Sequence, residues 1–170
     1  MAVPVRLLDL PRMHPLLLWD PIIPAAYVVF RGRGVEPPFR FLLAVEGVPG
    51  FGTESLELQI DPTGIPAELV GRCERTFEAS RRIEFAAIAV TALGLNVAGA
   101  HEMIDVARRG SAADYLVDAA RHHLEIAGRS RRRDLDAAWE QKEPRFLEDA
   151  IRHIVDNMAE REREWRQAIR

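Results

Sequence analysis

Apolar and polar residues alternate cleanly in "ESLELQID", residues 54 to 61, which puts Leu56, Leu58 and Ile60 on one face of a strand. Upstream, "PAAYVVFRG" at 24 to 32 and "FRFLLAVEG" at 39 to 47 are β-branched and aromatic runs ended by glycine. That pattern predicts two more strands. The connection "GVPGFGT" is turn material. Residues 1 to 62 therefore read as a β-rich N-terminal extension, a small antiparallel sheet or meander. Its Arg31, Arg33 and Arg40 are read as solvated.

"DPTG" at 61 to 64 stops the alternation, and Pro66 suits the first turn of a helix. Residues 66 to 82 are charged and amphipathic, whereas Ile83 to Val97 is apolar on almost every side and should be covered all round. Gly71 or Ser80 marks a kink or a break between two helices. Three short strands follow in "EMIDVARRG", "ADYLVDAA" and "RHHLEIAG". A helix is predicted over 134 to 143, and Pro144 ends it and opens another. That last helix carries Phe146, Leu147, Ile151, Ile154, Val155, Met158, Trp165 and Ile169 on one stripe, tapering toward its end. The expected fold is α+β or α/β, a mixed sheet flanked by helices. Residues 63 to 143 form a helix–three strands–helix core, and 144 to 170 a long amphipathic helix that can pack on a protein partner or a second copy.

Composition narrows this picture slightly. A chain of 170 residues with 48% hydrophobic and 29% charged positions is a globular composition large enough to bury a core. A net charge of −3 gives no global basic footprint, so a nucleic-acid contact would be local. The lone Cys73 excludes an internal disulfide and reads as a small core residue. The N-terminus is cut up by Pro4, Asp9, Pro11 and Pro15, unlike a signal peptide. The run from Phe85 to His101 contains Thr91 and Asn96 and reads as a buried helix, not a span. A cytoplasmic protein with no membrane contact is expected. Of the 23 basic residues only Lys142 is a lysine, which makes its location informative.

Candidate chemistry lies in the three-strand region. Period-two alternation sets Asp114, Leu116 and Asp118 on one face of the second strand, with Tyr115 and Val117 behind. In the third strand His123, Glu125 and Ala127 share a face, backed by Leu124 and Ile126. If the strands pair, Asp114 and Glu125 converge on one hard cation such as Mg²⁺. His122 and His123 point to opposite faces and make no zinc pair, and His101 and Glu102 at a helix end lack further ligands at metal spacing. Asp105 can line the same face as Asp114.

"ADYLVDAARHHLEIAGRS" resembles the aspartate, spacer and "E-x-K-G" pattern of the PD-(D/E)XK nuclease superfamily, whose core is a helix, three strands, a helix and a further strand. The resemblance spans roughly residues 80 to 143. It implies a metal-dependent nuclease acting on DNA or RNA, with Asp114 and Glu125 as Mg²⁺ or Mn²⁺ ligands and Glu84 in "RRIEFAAIAV" as the acidic residue of the first helix. The chain departs from the pattern at Ala127, where the family usually has lysine, and shows no obvious strand after the second helix. Some members resemble it in taking a basic residue from that helix instead. Lys142 shares a stripe with Leu135, Ala138 and Trp139, so it can supply that charge. Arg129, Arg131, Arg132 and Arg133 form a basic loop suited to phosphate, and Gln141 can hydrogen-bond one.

Each feature also has a plain alternative. Asp114 and Glu125 can be solvent-face partners of Arg108, Arg109 or Arg129. Glu84 can pair with Arg81 or Arg82 or favour a helix N-terminus, and Lys142 can extend its head into water. Two functions follow: a metal-dependent phosphodiesterase, or a catalytically inactive nuclease-like module that binds partners in a larger assembly.

Overall fold

The computed structural model describes residues 2–32, 34, 36–45, 54–99, 101–106, 114–118, 122–124 and 126. Arg33, the helices expected over 134–143 and 144–170, and the packing of Lys142 lie outside them. The architecture is mixed α+β. In chain order it comprises β1 (Ala2–Arg6), α1 (Leu10–Met13), α2 (Ile22–Arg31), β2 (Phe39–Val45), β3 (Glu54–Asp61), α3 (Ala67–Thr76), α4 (Ala79–Gly99), β4 (Met103–Val106), β5 (Tyr115–Val117) and β6 (His122–Leu124). A short 3₁₀ turn, Leu7–Asp9, joins β1 to α1.

Among the described residues the strands form two three-stranded sheets. The first runs β1-β3-β2 and is mixed rather than the expected antiparallel meander: Val5 pairs with Ile60 in parallel, while Phe41 pairs with Leu58 antiparallel. β3 is central, so its apolar face is the best covered, with Leu58 and Ile60 at 0% exposure. Pro4 sits in β1, an outer strand of this sheet, where the missing N–H costs a ladder little.

The segment from Pro24 to Gly32, expected as a strand, is helix instead: α2 spans Ile22–Arg31 and buries Ile22, Ile23, Ala25, Ala26 and Phe30. A short apolar run does not distinguish a buried strand from a buried helix. Here Pro21 and Pro24 fall at the helix start, where proline is tolerated. Phe30 contacts Phe39 edge-on at 5.4 Å and Phe41 at 4.7 Å between ring centroids, joining the helix to β2.

α2 also packs along α4, the long apolar helix. By length and composition α4 is the one described helix that could cross a membrane. In this fold Ala86, Ile88, Ala89, Ala92, Leu93, Gly94 and Ala98 are buried. Gly94 allows the sheet to approach, since a Cβ there would lie 2.8 Å from Leu43 Cδ1. The expected break falls just before Ser80. Phe77 is extended, and the Arg82 guanidinium donates to the carbonyls of Glu74 (3.1 Å) and Phe77 (2.5 Å), satisfying groups the ending helix exposes.

One buried cluster joins Val5, Leu7, Leu10, Trp19, Phe30 and Ile60 from the N-terminal elements to Ala89, Leu93, Met103 and Val117. The second sheet, β4-β5-β6, is antiparallel throughout and follows α4 directly. Its Met103, Val117, Tyr115 and Leu124 face that shared core.

Candidate metal centre

The alternation in "ADYLVDAA" sorts the faces as expected: Val117 is buried and Tyr115 packs on the core. Leu124 and Ile126 also pack on it, on the side opposite to that predicted for Glu125. Asp114 lies immediately before β5 and is tied to the third strand twice. Its N–H donates to the Leu124 carbonyl at 2.8 Å, and its Oδ2 accepts the Ile126 N–H at 2.7 Å. Both neighbours of position 125 are thus bonded to Asp114. Glu125 itself, with Ala127, Arg129, Arg131, Arg132, Arg133, Gln141 and Lys142, lies outside the described residues.

Glu84 is exposed on the first turns of α4, and its Oε2 accepts from Arg81 Nη1 at 2.7 Å. Arg81 also stacks over the Phe85 ring at 4.8 Å. The ion pair with Arg81 is the plain alternative weighed for this glutamate. Tyr115 is the described residue that senses both carboxylates: burial raises its phenol pKa first, and the negative charges of Asp114 and Glu84 add to it, against Arg81.

At the other end of β5, Asp118 has a left-handed backbone, φ 53°, which aspartate tolerates better than bulkier residues. Its Oδ1 accepts the Glu102 N–H at 2.9 Å and its own N–H donates to the Glu102 carbonyl at 2.9 Å. Its Oδ2 lies 2.5 Å from His101 Nδ1. Gly99 makes room for that ring, because a Cβ at 99 would come 2.7 Å from His101 Nε2. So Asp118, expected only as a face-mate of Asp114, fastens the α4–β4 connection. Asp105 is exposed, and its Oδ1 accepts the Val106 N–H at 2.7 Å. Cys73 is buried in α3, as expected, and burial pushes its thiol pKa up.

The oxygen donors of Asp114 and Glu125 match the preference of Mg²⁺ and Mn²⁺ for hard ligands. Among the described residues no three His, Cys, Asp or Glu side chains gather around one point.

Sequence reasoning missed His14. It is fully buried, with Nε2 3.0 Å from the Ala92 carbonyl and Nδ1 accepting the Met103 N–H at 3.0 Å. A single polar residue inside the apolar "MHPLLLW" was the available signal. No protein-family model matches the chain, and neither a curated protein nor a solved structure matches it.

Proposed function

We propose that this chain is a metal-dependent nuclease-like protein acting on phosphodiesters of DNA or RNA. The observation that carries the reading is the double attachment of Asp114 to Leu124 and Ile126, the residues on either side of Glu125. It fits the order of a helix followed by an antiparallel three-strand meander, α4 then β4-β5-β6. Asp114 and Glu125 would hold Mg²⁺ or Mn²⁺, with Glu84 assisting once it leaves Arg81. A divalent ion there supplies Lewis acidity at the scissile phosphate. Lys142 offsets the negative charge that develops. Arg129, Arg131, Arg132, Arg133 and Gln141 bind flanking phosphates, and the protein works in the cytoplasm.

The test is cleavage of single-stranded DNA, duplex DNA and RNA with Mg²⁺, Mn²⁺ or EDTA, beside Glu125→Ala and Lys142→Ala proteins. Metal-dependent cutting lost in both variants is the expected result. No cutting by folded protein on any of the three substrates refutes catalysis.

The second reading is an inactive module of the same fold that binds protein partners or a second copy. It is favoured by apolar side chains on the surface, with Leu16, Leu18 and Leu42 exposed at 69%, 72% and 76%. Sedimentation over a concentration series tests its self-association, and a pull-down tests for other partners.

A further inference from the structure

His14 fastens three parts of the chain at one point. Its Nε2 meets the Ala92 carbonyl in α4, and its Nδ1 accepts the N–H of Met103, the first residue of β4. One donor and one acceptor define a neutral ring protonated on Nε2. The His14 carbonyl accepts the Trp19 indole N–H at 2.8 Å, and the Trp19 carbonyl accepts the amides of Ile22 and Ile23 at 3.0 Å. The bonds thus run from β4 and α4, through residues 14 to 19, into the start of α2.

A second ring proton breaks this arrangement, because Nδ1 would then present a donor to the Met103 N–H. Among the described residues the charge acting on the ring is that of Glu102, beside β4, which favours the imidazolium. α4 contributes the Ala92 carbonyl, and the ring's own segment contributes the uncharged Trp19, whose ring centroid lies 5.6 Å away. Burial depresses the ring's proton affinity, outweighing the bond to the Ala92 carbonyl and the charge of Glu102, which both raise it.

We propose that His14 is an acid-operated latch: its protonation frees residues 14 to 19 from α4 and β4 while the first sheet stays folded. Trp19, at 2% exposure, lies next to the already exposed Leu18, so release enlarges one apolar surface.

Hydrogen exchange on the full chain between pH 8 and 5 tests this, with rates corrected for intrinsic chemistry. The opening constants of the Met103 amide and the Trp19 indole should be level above about pH 6.5 and rise about tenfold per pH unit below it. At pH 5.5 both should exceed the opening constant of Leu58, in central β3, by at least about tenfold. A flat Met103 profile overturns the latch. Equal constants at Met103 and Leu58 also overturn it, because the whole chain is then unfolding. His14→Gln, whose amide can both donate and accept but does not titrate, should abolish the rise. The wild-type series decides alone if that variant does not fold.

Discussion

Asp114 holds Ile126 through a carboxylate-to-amide bond of 2.7 Å that ties the residue before β5 to the segment just after β6. One side chain therefore has a structural duty and a proposed chemical one, and substitutions separate them. Asn keeps an oxygen for the Ile126 amide but loses the negative charge a divalent ion needs. Asp114→Asn should leave thermal stability within about 1 kcal/mol of wild type, whereas Asp114→Ala costs about 1–3 kcal/mol. Metal-dependent cleavage should fall at least ~100-fold in both. Unchanged cleavage by a folded Asp114→Asn protein would remove this residue from the centre.

His101 and Asp118 make a different prediction. Their side chains are 27% and 28% exposed, and Asp118 also receives a main-chain amide, so loss of the carboxylate should cost about 1–3 kcal/mol. Asp118→Gly removes the carboxylate while accepting the positive φ, and Asp118→Val adds backbone strain of about 1–2 kcal/mol. Chemical denaturation should rank stability as wild type, then Gly, then Val. A Val protein as stable as the Gly protein would show that the left-handed backbone is not maintained.

Two glycines should respond in opposite directions to alanine. Gly64 has φ +97°, and a Cβ there would meet Leu8 Cδ1 at 2.9 Å. Gly64→Ala should destabilise by about 1–2 kcal/mol. Gly71 lies inside α3, and its nearest neighbour for a Cβ is the Arg75 side chain at 3.4 Å. Gly71→Ala should stabilise by about 0.5–1 kcal/mol. Denaturant midpoints moving in the same direction for both would refute the assignment.

His14→Ala removes a buried ring and two hydrogen bonds, a loss of about 2–4 kcal/mol. The melting temperature should drop by roughly 5–15 °C in a chain of this size. The pH dependence follows from the lowered proton affinity of the ring, whose ordinary pKa is 6.5. Just below pH 6.5 the unfolded chain binds a proton that the folded chain does not. Stability from this group is thus complete above 6.5 and lost as the pH falls toward the depressed value. Urea midpoints at pH 7.5 and 5.5 should differ in wild type by more than in His14→Gln. Equal differences would show that other groups govern the acid response.

How much of this could be read in advance depended on the range of the interactions. The alternation that set Leu56, Leu58 and Ile60 on one face is a local property, and all three are buried. Of the two positions that could mark a break, Ser80 lies just past it, while Gly71 sits inside an unbroken α3. The run from Tyr27 to Phe30 misled because its β-branched content suits a strand, while contacts with α4, far along the chain, select helix. His14 left almost no local trace, since its partners lie 78 and 89 residues away. For the candidate site, face-sharing predicted the side of Tyr115 and Val117, but the hydrogen bonds of Asp114 and Asp118 depend on how the strand ends meet.

The parallel pairing of β1 with β3 bears on how the chain assembles during synthesis. Ala2 aligns with Glu57 and Arg6 with Asp61, so β1 waits for the end of β3 before it finds its ladder. Until then β1 is a short apolar segment awaiting a non-local partner, and α2 and the β2–β3 hairpin can form ahead of it. The N-terminal strand should be the last to join the first sheet, and the slowest of its strands to gain protection when refolding is followed by pulsed hydrogen exchange.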